Sequence, residues 1–199
     1  MKDLLKKMTL VVALLGLNVM TFANEVEPDV RIATIADAKK FSLELANIEP
    51  GATTVTLYDA FGVALINEKA GKNTYGKVFN LANLPTGSYE LVITTTNRDI
   101  VQPIDLTFDG VEMDANQRKV YFAPAILTNK TNLDISFFRG KITDVAVSIF
   151  QNNELVFEEN FDNVIKVERR YDLTTMPKGK YNVMVTTDYK TYYKELVIK

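Results

Sequence analysis

The carboxylates Glu44, Asp59, Glu90, Asp105, Glu158 and Glu159 are the first candidates for chemistry in this chain. Two carboxyl groups held about 5–10 Å apart can cleave a glycosidic bond, one as acid and one as nucleophile or base. Here they fall on polar positions of alternating segments or in turns, which is the pattern of a solvated sheet face. A second concentration of oxygen donors is Phe108-Asp109-Gly110-Val111-Glu112-Met113-Asp114-Ala115-Asn116. Calcium takes about six to eight such oxygens. The spacing matches no specific calcium loop, so the stretch reads as a connector. The third candidate is aromatic. Phe137, Phe138, Phe157, Phe161, Tyr189, Tyr192 and Tyr193 crowd the C-terminal half. With Phe137 and Tyr192 turned inward, Phe138, Tyr189 and Tyr193 turn outward, where aromatic rings can stack on sugars or dock a protein. Such residues are also ordinary strand formers.

What is missing narrows the chemistry further. The 199 residues contain no His, no Cys and no Trp. A Ser-His-Asp triad, a thiol nucleophile, a Cys/His zinc site and a disulfide are therefore excluded. The formal net charge of −2 gives no electrostatic case for nucleic acid. No catalytic residue, cofactor or resident metal is expected, and the chain reads as a non-enzyme.

The elements that position these residues come from an internal repeat. Sliding the sequence on itself by about 92 residues lays Val55-Thr56-Leu57-Tyr58 on Val147-Ser148-Ile149-Phe150. The same shift lays Leu84-Pro85-Thr86-Gly87-Ser88-Tyr89 on Met176-Pro177-Lys178-Gly179-Lys180-Tyr181, and Phe41-Ser42-Leu43 on Leu133-Asp134-Ile135. Within each copy the apolar period is two, the period of strands. Phe41/Leu43/Leu45, Val55/Leu57 and Tyr89/Leu91/Ile93 recur as Leu133/Ile135/Phe137, Val147/Ile149 and Tyr181/Val183/Val185. Turn residues punctuate the strands at Pro50-Gly51, Asp59–Gly62, Gly71–Asn73 and Pro85–Gly87. The expected fold class is all-β: two tandem immunoglobulin-like or fibronectin-like antiparallel β-sandwiches. Expected bounds are 26–107 for the first domain, 108–118 for a linker and 119–199 for the second domain. Pro85, Gly87 and Tyr89, with Pro177, Gly179 and Tyr181, form the expected structural corner. There a tyrosine ring enters the core and its hydroxyl meets a nearby carbonyl.

Two families share these residues. Leu84-Pro85-x-Gly87-x-Tyr89-x-Leu91 resembles the E–F corner of a fibronectin type III domain. Val55-x-Leu57-Tyr58-Asp59-x-x-Gly62, Asn80-Leu81-x-x-Leu84-Pro85-x-Gly87-x-Tyr89 and the Lys194–Lys199 strand resemble exported tandem β-sandwich modules of the Bacteroidota. Those modules are related to the C-terminal sorting domains of type IX secretion. The resemblance implies a β-sandwich module, and it leaves three roles open. The chain is a structural or interaction protein of the cell envelope, or its second domain is a sorting signal read by secretion machinery, or it is a carbohydrate-binding module.

The N-terminus reads as an export signal. Lys2, Lys6 and Lys7 precede the apolar run Leu10–Leu17, and Thr21-Phe22-Ala23 places small residues for cleavage before Asn24. The run is shorter than the ~20 residues of a membrane span. Residues 1–23 are therefore expected to be a signal peptide, with no membrane span left after cleavage. Residues 24–199 carry 20 basic and 24 acidic side chains, and the protein is expected in the periplasm, at the cell surface or outside the cell. The mature polypeptide should begin at Asn24. N-terminal sequencing of protein from the envelope or medium checks this, and an intact Met1 in a membrane pellet would overturn it.

Overall fold

The structure, a computed structural model, describes residues 27–129 and 131–199. The expected signal peptide and its cleavage site lie outside the described residues. Two compact units divide at Tyr121 and Phe122.

In the first unit, alternating apolar residues build β1 (Asp29–Thr34), β2 (Lys40–Ala46), β3 (Thr53–Asp59), β4 (Ala64–Ala70), β5 (Tyr75–Asn80), β6 (Gly87–Thr94) and β7 (Arg98–Leu106). One sheet has the order β1-β2-β5 and the facing sheet β4-β3-β6-β7, and the strands in both pair antiparallel. The inward residues of both sheets interlock: Phe41, Leu43, Leu45 and Phe79 meet Val55, Leu57, Leu91, Ile93 and Ile104 in one buried cluster. The rings of Phe41 and Phe79 stack with centroids 4.7 Å apart. This is an immunoglobulin-like β-sandwich.

Residues 108–118, read in the sequence as a linker, are built into this unit. They carry β8 (Val111–Glu112) and a 3-10 turn at Ala115–Gln117 that leads to β9 (Lys119–Phe122), and both strands pair with β7. Of the oxygen donors in this stretch, those of Asp114 serve the turn. The Asp114 carboxylate accepts from the Asn116 amide at 2.8 Å, and its carbonyl accepts from the buried Gln102 side chain at 3.0 Å.

The second unit contains β10 (Ala125–Thr128), β11 (Asn132–Gln151), β12 (Glu154–Asp172), β13 (Gly179–Thr186) and β14 (Thr191–Ile198). Its pairings repeat those of the first unit. Phe41↔Phe79 corresponds to Leu133↔Tyr171, Val55↔Ile93 to Val147↔Val185, and Tyr89↔Ile104 to Tyr181↔Leu196. The units differ in continuity. Where the first breaks between β2 and β3, at Ile48-Glu49-Pro50-Gly51, the second runs on as one 20-residue strand. Proline lacks a ladder donor and Gly51 has φ +77°, so the chain must turn there. Gly140-Lys141-Ile142-Thr143 takes that place in the second unit. Gly140 at φ +76° and register shifts between Phe138 and Val145 bend the strand without ending it. β11 and β12 therefore contribute to both layers, around a core of Leu133, Ile135, Phe137, Val147, Ile149, Tyr171, Val183 and Val185.

The corner is the same in both units. Tyr89 and Tyr181 are buried, and each hydroxyl donates to the carbonyl of the proline four residues earlier, Pro85 or Pro177, at 2.7 Å. Gly87 and Gly179 precede them at φ +151° and +155°, where side chains with a Cβ rarely sit. Tyr181→Ala should destabilise the second unit by about 3–5 kcal/mol through loss of a core ring. Tyr181→Phe, which loses only the hydrogen bond, should cost about 1 kcal/mol. Thermal unfolding monitored by hydrogen exchange of the β13 amides measures both, and a silent Tyr181→Ala would overturn the corner's role.

A candidate ligand-facing sheet surface

Alternation along β13 and β14 aims Val183, Val185 and Leu196 into the core and Met184 and Tyr193 outward. Registers across the sheet then line up three outer rows. They are Tyr193-Met184-Ser148-Glu158, flanked by Thr191-Thr186-Ala146-Asn160 and by Glu195-Asn182-Phe150-Leu155. Tyr193 is 69% exposed and Leu155 51%. Thioether, phenyl and phenol thus share a face with hydroxyls, amides and two carboxylates. Such a face suits stacking with polar contacts around it. Ser148 is nearly buried, and its hydroxyl donates to Glu158 at 3.4 Å. The corresponding outer positions of the first unit, Thr56, Val92 and Val101, are buried, so the two units present different faces.

The structure does not gather the three aromatics of the sequence reading into one platform. Phe138 is 57% exposed on β11 opposite Lys166, on the outer side of the β10–β11–β12 layer, away from the Tyr193 row. Tyr189 is half-buried in the turn between β13 and β14, with Lys190 Nζ 5.6 Å from its ring and 5.0 Å from that of Tyr192. Phe137 and Phe161 are core residues.

Four of the six candidate carboxylates, Asp59, Asp105, Glu158 and Glu159, bond within the fold. Asp59 Oδ1 accepts from the amides of Phe61 and Val63, both at 2.9 Å, closing the β3–β4 turn with Gly62 at φ +77°. In the second unit Asn152 and Asn153 take left-handed φ at that turn. Asp105 accepts from Ser88 at 2.8 Å. Among the described residues no three acidic side chains converge as a metal site.

One arrangement was not anticipated from the sequence. Glu159, read as part of a solvated face, accepts from the Tyr171 hydroxyl at 2.7 Å and from Arg169 Nε at 3.1 Å. Glu68 in the first unit likewise accepts from Tyr75 and pairs with Lys77. Lys77 holds the Glu68 carboxyl below its ordinary value. Burial, and then the Glu159 bond, push the Tyr171 phenol up. The signal was present as the match of Lys77 to Arg169. Glu68 and Glu159 fall one residue out of that frame because the β11–β12 turn is shorter.

At the end of the second unit a groove of about 460 Å³ is lined by Thr143, Asp144, Asn160, Asp162, Thr187 and Asp188. Two of its three acids, Asp144 and Asp188, are engaged. Asp144 accepts from the Asn163 amide at 2.8 Å. Asp188 accepts from Arg139 Nε and Nη2, at 3.1 and 3.3 Å, and pairs with Lys141 at 3.0 Å.

No family model matches the chain, and no curated protein matches it. Similar solved structures include the BSP domain of a biofilm associated protein, with 15% identity, a TM-score of 0.27 and coverage of 86% of this chain and 29% of that one. The human OSCAR ligand-binding domain gives 10% identity, a TM-score of 0.24 and coverage of 85% and 97%. The titin Ig tandem domains A164-A165 give 13%, 0.24, 86% and 95%. The chain spans less than a third of the biofilm structure. By its own strand order and core, this is a tandem immunoglobulin-like β-sandwich protein. No helix among the described residues is long and apolar enough to cross a membrane.

Arg139 first, with Lys141, pulls the Asp188 carboxyl down to about 2. A carboxyl lowered from an unfolded value near ~3.9 stabilises the fold above that value and loses the contribution as pH falls toward 2. Asp188→Asn should therefore lower stability at neutral pH, by up to about 1 kcal/mol for so accessible a pair. The difference from wild type should shrink between about pH 4 and pH 2. Unfolding curves of both proteins across that range check it.

Proposed function

We propose that this chain is an exported, non-enzymatic interaction protein of the cell envelope, with the outer sheet face of the second unit as its binding surface. Tyr193 carries the reading. A large aromatic ring 69% exposed on a regular, hydrogen-bonded strand costs solvation, and a rigid platform is the use that recovers it. The ring lies on a β13–β14 ladder of eight residue pairs, so it is presented without the entropy cost of ordering a loop. Asp59, Asp105, Glu158 and Glu159 bond within the fold, which supports binding rather than turnover.

Two finer readings follow from the same unit. The mixed aromatic, amide and carboxylate face fits a glycan. The alternative is a sorting signal centred on β14, where Leu196 anchors a lysine-flanked strand in the core. A glycan array probed with residues 24–199 separates them. Binding that Tyr193→Ala weakens by about tenfold, equivalent to about 1.4 kcal/mol, supports the platform. Glycan binding that survives Tyr193→Ala moves the site elsewhere. Deletion of Glu195–Lys199 that traps a folded protein in the periplasm favours sorting.

A further inference from the structure

The two repeats treat the same sheet edge differently. In the first unit β7 is covered on its outer edge by β8 and β9. The inward position Gln102, 1% exposed, donates to the carbonyls of Pro103 and Asp114 at 3.0 Å and accepts from Arg118 Nε at 3.1 Å. In the second unit β14 lies at the end of its sheet, and among the described residues no strand pairs with its other edge. Gln102 pairs with Leu91, and its counterpart Lys194 pairs with Val183. Lys194 thus stands on the inward alternation between Tyr192 and Leu196, and it is exposed.

A bare edge is a template for another strand, and its side chains decide which one. Residues directly opposite in a ladder share a face. Antiparallel pairing of β14 with its own copy in full overlap would set inward residues opposite outward ones and is forbidden. A slip of one residue either way sets Lys194 opposite Lys194 or Glu195 opposite Glu195. Like charges directly opposite destabilise a ladder. The edge therefore disfavours a second copy of this chain, and a carboxylate facing Lys194 would satisfy it.

We propose that the open edge of β14 binds one extended segment of another protein by strand addition, with an acidic side chain of that segment meeting Lys194 and an apolar side chain two positions away meeting Leu196; the Tyr192 hydroxyl is already held by the Phe122 carbonyl at 3.5 Å. The inference rests on the reading of this chain as an interaction protein and names its partner class. Strand addition takes affinity from backbone bonds and specificity from alternate side chains.

The test uses residues 24–199 and two labelled peptides, Ser-Thr-Val-Thr-Glu-Thr-Val-Thr-Ser and the same sequence with a central Lys, read by fluorescence anisotropy. The wild type should bind the Glu peptide about tenfold more tightly than the Lys peptide, and Lys194→Glu should reverse the preference. Bound Glu peptide should also slow hydrogen exchange at alternate amides of β14, which a loose ionic contact would not do. Lys194→Gln serves as the second variant if Lys194→Glu fails to fold, and it should abolish the discrimination. Equal affinity for both peptides, no binding of either, or discrimination that survives Lys194→Gln would overturn the proposal. Tyr193→Ala removes a side chain on the sheet face opposite to that of Lys194, so it should leave the preference for the Glu peptide over the Lys peptide unchanged. Failure of the edge thus leaves the Tyr193 platform standing, and failure of the platform on the glycan array leaves the edge standing.

Discussion

The apolar seam between the two layers of each sandwich holds this molecule together. No disulfide is available, so the unfolded chain is not constrained, and stability rests on side chains such as Leu57, Leu91, Ile149 and Val183, which are fully buried. Burying a side chain of this size contributes about 1.5–3 kcal/mol against the entropy of ordering the chain. The seam also fixes register. A slip of one residue would expose the whole inward set, so the surface rows that carry Tyr193 are as well determined as the core beneath them.

Most of the fold was legible because this seam leaves a period-two trace. The inward residues named from alternation, from Phe41 to Val185, are the buried ones. The Asp59 turn was legible from its local chemistry, since an Asx turn needs only residues close in sequence. The continuity of β11 through both layers was less visible. Its signal was the replacement of Pro50-Gly51 by Ile142-Thr143, a missing break rather than a present motif. The strands within 108–122 were missed because two- and four-residue strands carry too little alternation to read. The site was harder still. Alternation sorted Phe138 and Tyr193 as outward, but it could not say that they stand on different layers. Nor could it show that Glu159 reaches Tyr171 and Arg169 across the sheet.

The repeat shows which features belong to the fold and which to each copy. The tyrosine corner and the central ladders occur twice with nearly the same geometry, and a glutamate bonded to a tyrosine occurs in both units, with the tyrosine at different repeat positions. The outer face and the last edge differ. In the first unit both are buried or covered, whereas in the second Tyr193 is exposed and, among the described residues, no strand pairs with the outer edge of β14. Duplication of a stable scaffold leaves one copy's surface available to change without loss of the shared core.

The unbroken β11–β12 ribbon has a consequence for how the second unit forms. In the first unit, joining Phe41 to Phe79 requires closure of the separate turns at 47–52 and 71–74 after the β3–β4 hairpin is made. In the second, pairing that starts at Gln151 and Glu154 advances along one ladder, and each rung brings the next within reach, until Leu133 meets Tyr171. Loop-closure entropy is then spent in small local steps, where a sandwich usually has to close long loops before non-local contacts reward it. The same 38-residue separation is crossed by a zipper in one copy and by a search in the other.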